Sequence, residues 1–466
     1  MELLAGMEYT VQISGLGNNG EGITTIDGFK VFVKNALPDE WVKIRLSKVY
    51  PSYATAELVE IVEESIERID AACMLYGRCG GCNLMHLPYE RELELKQKIV
   101  LDALTRIGKF QNVEISPVIS CVKSDKGSEN SESDKSGAEW MRYRNNAQYS
   151  CRFGEENEAE IGFFKEKSHR IVPVHDCLLQ KENNAQILRI VLAWAAQYSK
   201  ESCEITNIAI RSTEHTGEIM VVLSSLKPKV PHLNKLITEL TLKIPQIKSI
   251  ILHVLGKPDR YGKRQLIEKQ SAAVWGKDHI LEKLGDYHFR ISPKSFFQVN
   301  TKMAEILYRQ ILDNADLSAE DTVFDLYCGT GSISLFIAKH VSDVIGVEIE
   351  ETAVSDAKEN ALRNGIDNVT FIVGKSEQVI LDLRRDYIIP DAIILDPPRK
   401  GCDKKLLEMI VKLKTRKIVY VSCDPATLAR DLAYLSQEGG YRITSAHPVD
   451  MFPRTAKIET VVVLKK

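Results

Sequence analysis

The stretch Val323-Phe-Asp-Leu-Tyr-Cys-Gly-Thr-Gly-Ser332 decides the fold of the C-terminal part of this 466-residue chain. Its apolar beginning predicts a buried strand, its glycines predict a tight turn, and Ile333 to His340 follows a helical pattern. Gly329 and Gly331 let the backbone approach a ligand closely, because neither has a Cβ. The segment therefore predicts a strand–turn–helix unit of a doubly wound α/β sheet with a ligand over the turn.

A second predicted strand, Val344-Ile-Gly-Val-Glu348, ends in a carboxylate about twenty residues beyond the glycines. An acid at this spacing is placed to hydrogen-bond the hydroxyl groups of a ribose. The phosphate fingerprint G-x-G-x-x-G is incomplete, because Ser334 stands where its third glycine would fall. The pattern favours an adenosyl compound over a dinucleotide or a triphosphate, and an ordinary strand–turn–helix joint is the alternative.

The ends of two further apolar runs carry charged side chains. Asp391-Ala-Ile-Ile-Leu395 leads into Asp396-Pro-Pro-Arg399, where the prolines stop the strand and present both charged residues at its carboxyl end. Near the C terminus, Glu459 stands in front of the apolar run Thr460 to Leu464. That glutamate is either exposed on an edge strand or held near the site as a base, and the sequence favours neither.

Cys423 follows the apolar strand Lys417 to Ser422 and precedes a predicted helix over Ala426 to Gln437. Asp424 suits the N-cap of this helix and Pro425 its first turn. A cysteine at a helix N-terminus feels the positive end of the helix dipole, which predicts a lowered pKa and a reactive thiolate. The alternative is a buried cysteine that takes no part in chemistry.

Together these segments resemble the RNA uracil-C5 methyltransferases, a family within the class I enzymes that use S-adenosylmethionine. The resemblance extends over nearly the whole chain. It rests on the glycine turn after Asp325, Glu348, Asp396-Pro-Pro-Arg399, Ser422-Cys-Asp-Pro-Ala-Thr-Leu-Ala-Arg-Asp431, Met451-Phe-Pro-x-Thr-x-x-x-Glu459, and Ser292-Pro-Lys-Ser-Phe-Phe-Gln-Val-Asn300 at the entry to the catalytic domain.

The resemblance implies a role for each matching residue. Cys423 is expected to be the nucleophile that adds to C6 of uracil, and Glu459 the base that later removes the C5 proton. The expected contacts to S-adenosylmethionine are Gln298, Tyr327, Glu348 and Asp396.

Four cysteines form a second candidate site. Cys73, Cys79 and Cys82 lie close in sequence among glycines, and Cys177 is the best candidate for a distant fourth ligand. Four thiolates suit tetrahedral zinc or an iron–sulfur cluster, and a disulfide pair is a further alternative. The resemblance implies a [4Fe–4S] cluster, because one branch of the family has this cysteine pattern. The remaining cysteines are expected to be structural: Cys121, Cys151, Cys203, Cys328 and Cys402.

The N-terminal residues predict a small β-barrel, since four short alternating runs are separated by glycine turns. These runs are Tyr9 to Ile13, Phe29 to Val33, Trp41 to Leu46 and Ala54 to Leu58. They resemble the TRAM domain, an OB-like barrel that binds RNA. Basic residues on these strands either contact RNA or form a solvated face.

We therefore expect a multidomain α/β protein. The predicted parts are a TRAM barrel over 1–65, a central α+β domain with the cysteine site over 66–290, and a Rossmann-like class I methyltransferase domain over 291–466. A serine-rich, charged stretch at about 121–139 is expected to be a flexible excursion of the central domain.

The formal net charge of −3 says little about an RNA partner, because local basic patches attract phosphate. No apolar run is long enough to span a membrane and no cleavable leader is evident, which predicts a cytoplasmic protein. The sequence does not determine the oligomeric state, and a monomer is the simplest expectation.

The resemblance implies formation of 5-methyluridine in RNA. The barrel and the four cysteines favour 23S ribosomal RNA as the substrate, with transfer RNA as the alternative. A non-catalytic iron–sulfur protein that binds RNA is a less favoured third interpretation. The target uridine has to leave any base stack, and Phe296 or Phe297 is a candidate to stack on it.

Overall fold

The computed structural model describes residues 3–121, 140–153, 159–166, 168–198, 204–256 and 267–466. The predicted excursion at 121–139, apart from Cys121, and also Cys203 lie outside these residues. In the described parts the strands form three large sheets and one separate hairpin. No described helix combines the length and the apolar character that crossing a membrane requires.

The first sheet contains six strands in the order β1-β5-β6-β4-β3-β2. It curls on itself, because the Ser14 amide donates to the Ile23 carbonyl at 2.8 Å and Thr24 Oγ1 donates to the Gln12 carbonyl at 2.7 Å. These bonds bring the edge strand β1 up to β3. The strands are β1 (Glu8–Gln12), β2 (Gly15–Leu16), β3 (Gly22–Ile26), β4 (Phe29–Val33), β5 (Trp41–Val49) and β6 (Tyr53–Glu63).

The central part contains a seven-stranded sheet in the order β13-β12-β11-β10-β7-β8-β9, and two helices share its apolar core. Only β11 and β12 run parallel among the described pairs of this sheet. Its elements are β7 (Asn146–Phe153), β8 (Ala159–Phe164), β9 (Ile171–Pro173), α2 (Glu182–Tyr198), β10 (Ile205–Ser212), β11 (Ile219–Ser225), α3 (Leu233–Lys243), β12 (Ile247–Gly256) and β13 (Ile267–Gly276).

Two elements between the sheets pack on the C-terminal sheet. Helix α1 (Tyr89–Asp102) continues into a short π-helical turn (Ala103–Ile107), and Val100 and Leu104 are buried in the core of that sheet. The hairpin β14 (Ile280–Leu284) and β15 (Tyr287–Ile291) packs against its other face. The predicted domain boundaries after residues 65 and 290 stay a proposal.

The C-terminal sheet contains seven strands in the order β18-β17-β16-β19-β20-β22-β21. The first five are parallel, and β22 is antiparallel to both of its neighbours. The elements are α4 (Thr301–Ala315), β16 (Thr322–Leu326), α5 (Ser332–Ala338), β17 (Asp343–Glu348), α6 (Glu351–Arg363), β18 (Val369–Val373), α7 (Ser376–Arg385), β19 (Ala392–Leu395), α8 (Lys404–Leu413), β20 (Lys417–Ser422), α9 (Pro425–Gly439), β21 (Arg442–Val449) and β22 (Glu459–Lys465).

The order of the strands reverses at β16. Strands β17 and β18 lie on one side of it, and β19 and β20 lie on the other. Open α/β sheets bind ligands at the carboxyl ends of their strands at such a switch point. All the predicted loop residues after β16, β17, β19 and β20 lie at this edge. Glu459 joins them, because it begins an antiparallel strand.

Helix α9 begins as the sequence predicts. The Asp424 carboxylate accepts the amides of Ala426 and Thr427, each at 3.0 Å, and so satisfies two donors that have no partner within the helix. Pro425 occupies the first turn, and the helix ends before Gly440, which adopts a left-handed conformation with φ of 72°. The cap places Cys423 directly between the end of β20 and the start of α9.

Candidate active site

The turn after β16 has a constrained backbone. Tyr327 has a φ of 71°, which a non-glycine residue rarely adopts, and its amide donates to the Val347 carbonyl at 2.9 Å. Gly331 has a φ of 79°, and a Cβ built there would lie 2.7 Å from the Phe371 ring. Glycine is therefore required at 331 both for conformation and for space. Strain of this kind is concentrated at ligand sites.

Glu348 ties the glycine turn to the end of β17. Its Oε2 accepts the Gly329 amide at 3.2 Å, and its Oε1 accepts the amides of Ile349 at 2.7 Å and Glu350 at 3.0 Å. Each carboxylate oxygen can accept more than one hydrogen bond. The carboxylate is thus held at the mouth of the turn and retains acceptor capacity for hydroxyl groups.

Two aspartates lie deeper in the same edge. Asp325 is buried and its Oδ2 accepts from Ser334 Oγ at 2.5 Å, while its Oδ1 has no hydrogen-bond partner among the described residues. Burial raises the Asp325 pKa to about 6. Burial, followed by repulsion from Asp325, raises the pKa of Asp396 to about 7. This part of the site therefore favours a bound cation.

The pKa predicted for Cys423 from the helix dipole is wrong. Burial, followed by the nearby carboxylates of Glu459 and Asp396, raises the pKa of this thiol to about 11, while Arg399 opposes them. Asp424 also disfavours the thiolate, because the same carboxylate that caps α9 places a negative charge beside it. The protein thus keeps the Cys423 thiol protonated at neutral pH.

Glu459 is buried in β22, which lies between β20 and β21, so the edge-strand interpretation is wrong. Its Oε2 has no hydrogen-bond partner in the described parts of the chain. Burial and the neighbouring Asp396 raise the pKa of Glu459 well above its ordinary value, while Arg399 lowers it. A buried carboxyl with an unpaired oxygen is available to exchange a proton with a ligand.

Cys423 and Glu459 are brought together by strand pairing. Ser422 pairs with Thr460 across the antiparallel strands β20 and β22. Cys423 follows the first residue of this pair and Glu459 precedes the second, so both lie at the same end of the two strands. The sequence contains no signal for this register.

Sequence reasoning missed Tyr308 on helix α4. Its hydroxyl lies 2.9 Å from Ser332 Oγ, and burial followed by the charges of Asp396, Asp325 and Glu459 raises its pKa. It therefore lies beside the acidic part of the site. In the sequence Tyr308 belongs to the apolar face of an amphipathic helix, and nothing distinguishes it from a core residue.

The residues before α4 occupy different positions. Gln298 is buried, and its backbone carbonyl accepts from Asn145 Nδ2 at 2.8 Å, which ties the central domain to the entry of the catalytic one. Phe297 is buried in the core, which removes it as a stacking candidate. Phe296 is 65% exposed and retains that possibility.

The four cysteines of the second site lie in one region. Burial, followed by the neighbouring Cys177, Cys79 and Cys73, raises the pKa of Cys82. Cys73, Cys82 and Cys177 pack against one apolar cluster that includes Met85. No disulfide joins any cysteine in the described ranges, and no group of three or more His, Cys, Asp or Glu side chains there is placed to hold a metal ion. The donor set suits a thiolate-ligated group, but the side chains are not arranged as its ligands.

The fold and the site together define a class I methyltransferase that uses S-adenosylmethionine. The glycine turn and Glu348 suit the adenosine part of that molecule. Burial raises the pKa of Asp325 and Asp396, so a positively charged ligand at this edge would favour their ionised forms.

Comparison with known proteins gives the family. Residues 136–466 match the model of the tRNA (uracil-5-)-methyltransferases, and residues 2–59 match the TRAM domain. A protein of Clostridium tetani, named an uncharacterized RNA methyltransferase, is 40% identical over 463 residues, which are 98% of this chain and 96% of that protein. A Clostridium acetobutylicum protein of the same description is 41% identical over 469 residues, covering 98% and 97%.

A solved structure shares the whole architecture. The Pyrococcus abyssi tRNA (uracil-54, C5)-methyltransferase in complex with S-adenosylhomocysteine is 25% identical, with a TM-score of 0.73, covering 98% of this chain and 99% of that one. The chain belongs to the tRNA (uracil-5-)-methyltransferase family and carries an N-terminal TRAM domain. It is an RNA uracil-5-methyltransferase, as the resemblance implies.

Binding of S-adenosylmethionine is expected to weaken as the pH falls through about 7. The cationic ligand favours the charged form of Asp396, whose pKa in the ligand-free protein is about 7. Affinity is therefore full above this pH and falls by up to about tenfold per pH unit below it. Calorimetric titration between about pH 5.5 and 8.5 measures this change.

The Asp396→Asn variant is the control for this pH dependence. It should bind the ligand more weakly and lose most of the change across this range. An unchanged pH dependence in that variant would assign the titration to another group.

Proposed function

We propose that this protein methylates C5 of uridine in 23S ribosomal RNA, with Cys423 as the covalent nucleophile and Glu459 as the base. The observation that carries the proposed chemistry is the register of β20 and β22, which brings Cys423 and Glu459 to the same end of the two paired strands. A negative charge on Glu459 raises the pKa of the Cys423 thiol, consistent with this proximity.

The reaction needs both groups because C5 of uracil is a weak nucleophile. Cys423 loses its proton and adds to C6 as the thiolate, which converts the ring into an enolate whose C5 carries negative charge. S-adenosylmethionine, when bound, supplies a methyl group activated by a sulfonium. After the transfer, Glu459 removes the proton from C5, the C5–C6 double bond re-forms, and Cys423 leaves C6 as the thiolate.

The pKa of each group suits a site that becomes active only when it is filled. In the ligand-free protein burial favours the neutral forms of the Cys423 thiol and the Glu459 carboxyl. Arg399 is a fixed positive charge that favours the ionised form of both. A bound cation adds to its effect and lowers both pKa values further.

The proposed contacts to S-adenosylmethionine are Gln298, Tyr327, Glu348 and Asp396. Three of these lie at the carboxyl ends of β16, β17 and β19, and Gln298 lies shortly before α4. Their positions beside the switch point support this assignment.

The choice of 23S ribosomal RNA rests on the combination of TRAM domain and four cysteines. Transfer RNA is the second candidate, because the family model and the Pyrococcus enzyme are both named for it. Mass mapping of 5-methyluridine in both RNAs, from cells with and without this chain, decides between them. Loss of 5-methyluridine at one or two 23S sites supports the proposal. Its loss in transfer RNA alone overturns 23S ribosomal RNA as the proposed substrate.

The same experiment tests the activity. If neither RNA loses 5-methyluridine, the proposed reaction in these RNAs falls, and a binding protein becomes the better description. We further propose that the protein acts in the cytoplasm as a monomer.

We propose that Cys73, Cys79, Cys82 and Cys177 hold a [4Fe–4S] cluster, with zinc as the lesser alternative. Methyl transfer involves no redox step, so such a group would order the fold around the cysteine segment. The nearness of the four thiols and the partial burial of Cys73, Cys82 and Cys177 support the proposal.

Protein purified without oxygen is expected to contain about four iron and four sulfide per chain. The Cys177→Ala variant should lose most of this iron, because a distant ligand has no local substitute. The Cys151→Ala variant, also in the central domain but outside the set, should keep it. One zinc and no sulfide would establish the alternative, and equal iron in both variants would exclude Cys177 as a ligand.

A further inference from the structure

The loop over residues 450–458 connects β21 to β22 and ends at Glu459. It begins directly after Val449, which pairs with Glu459 across the hairpin. Glu459 Oε2 has no hydrogen-bond partner in the described residues. No hydrogen bond within the described residues fixes this oxygen, so the backbone of the loop and of β22 helps to set the position of the carboxyl.

A buried group of charges on α1 holds the start of the loop. Lys96 Nζ donates to Asp450 Oδ1 at 2.5 Å, to Glu92 Oε1 at 2.7 Å and to the Phe452 carbonyl at 3.2 Å. The three charged side chains have no solvent exposure. Tyr89 donates to Asp450 Oδ2 at 2.6 Å. Such a group tolerates little displacement, because a separated buried charge is strongly unfavourable.

Arg454 holds the middle of the loop. Its backbone amide donates to Glu92 Oε1 at 2.7 Å, and its Nη1 donates to the Leu87 carbonyl at 3.0 Å. The guanidinium lies 4.3 Å from the centre of the Trp140 ring. These contacts add a backbone bond, a side-chain bond and a cation–π contact to the same nine-residue stretch.

Asn83 holds the end of the loop at Ala456, which lies three residues before Glu459. Its Oδ1 accepts the Ala456 amide at 2.9 Å, and its backbone amide donates to the Arg454 carbonyl at 3.2 Å. Its Nδ2 donates to the Asn19 carbonyl in the N-terminal domain. Asn83 also follows Cys82 directly. Through its position and these hydrogen bonds it connects the cysteine segment and the TRAM domain to the loop over 450–458.

We propose that Asn83 and the Lys96–Glu92–Asp450 group are positioning residues for Glu459. They hold the loop over 450–458 so that the carboxyl stays beside Cys423. The inference deepens the proposed function and rests on Glu459 acting as the base. It also gives the cysteine segment a specific task in catalysis, through the single residue that follows Cys82.

A positioning role and a merely structural one predict different kinetics. A displaced base slows release of the methylated RNA but leaves addition of Cys423 and methyl transfer intact. Displacement by about 1 Å is enough to slow a step on the order of 100-fold. A general loss of stability instead lowers the observed rates of all steps together, in proportion to the fraction of folded protein.

The test compares Asn83→Ala with Asn83→Asp and Arg91→Ala in the full-length protein. Asn83→Asp keeps an oxygen for the Ala456 amide, and Arg91 lies on the exposed side of α1, where it forms surface ion pairs with Glu67 and Glu94. Single-turnover reactions use an RNA carrying the mapped uridine. Denaturing gels give the rates at which the covalent adduct forms and disappears.

Asn83→Ala is expected to form the adduct at the wild-type rate and to resolve it on the order of 10- to 100-fold more slowly. Asn83→Asp should restore most of the resolution rate, and Arg91→Ala should match the wild type. Resolution at the wild-type rate in Asn83→Ala overturns the inference, as does an equal decrease of both rates.

Hydrogen exchange over residues 450–458 tests whether Asn83 holds this loop, and it requires no reaction. Faster exchange of the Ala456 amide and its neighbours in Asn83→Ala, reversed in Asn83→Asp, supports the inference. Unchanged exchange overturns it.

A wild-type protein that forms no adduct overturns the proposed chemistry instead, and with it the role of Glu459, whatever the exchange shows. Lys96→Met is the second variant, expected to show the same kinetic pattern if it folds.

Discussion

Replacement of Cys423 by alanine is expected to abolish methyl transfer, with a loss of more than about 10⁴-fold in turnover. Without Sγ nothing adds to C6, so C5 gains no negative charge and does not attack the methyl group. Cys402, which lies in the loop after β19, is buried, so its thiol is a poor substitute. Transfer of labelled methyl groups to RNA measures the loss.

A second measurement uses RNA containing 5-fluorouridine. Fluorine replaces the hydrogen that the base must remove, so the wild-type adduct cannot resolve and persists on a denaturing gel. Cys423→Ala should form no such adduct, whereas Cys151→Ala should form it normally. Turnover within tenfold of wild type in Cys423→Ala would remove this residue from the mechanism.

Replacement of Glu459 by glutamine is expected to trap a methylated covalent adduct while turnover falls by about 10²- to 10⁴-fold. The amide occupies nearly the same volume but cannot accept the C5 proton. Thiol addition and methyl transfer precede this step and should continue. The methyl label should therefore be found in the protein–RNA adduct, and mass spectrometry of the digested adduct should locate it on a uridine joined to Cys423.

The matched control is Glu438→Gln, an exposed glutamate on α9 that has no part in the site. It should turn over like the wild type and accumulate no adduct. If Glu459→Gln resolves the adduct as fast as the wild type, another group is the base. If it forms no adduct at all, Glu459 acts earlier, in the activation of Cys423.

Local sequence patterns correctly predicted the elements around the site. The glycine turn after β16, the acid at the end of β17 and the capped start of α9 all have short-range causes. A turn needs glycine where φ is positive, and a helix needs an acceptor for its first amides. Such preferences are expressed within a few residues, so the sequence is sufficient to predict them.

The acid–base properties of the site could not be predicted in this way. The helix dipole argues for a low Cys423 pKa, yet burial and three carboxylates raise it to about 11. Two of these carboxylates, Asp396 and Glu459, come from distant parts of the chain. A pKa depends on everything within several ångströms, and local sequence describes only the nearest part of that environment.

The sequence by itself determined the family, the order of the elements and the identity of the candidate reactive groups. These follow from residue types at short spacings. The tertiary structure alone decided that β22 pairs with β20 and so brings Glu459 to the same end of the strands as Cys423. It alone decided that Asn83, Glu92 and Lys96 hold the loop of a strand more than 350 residues later. Pairing and burial over such distances depend on how whole sheets and helices pack, which no local pattern encodes.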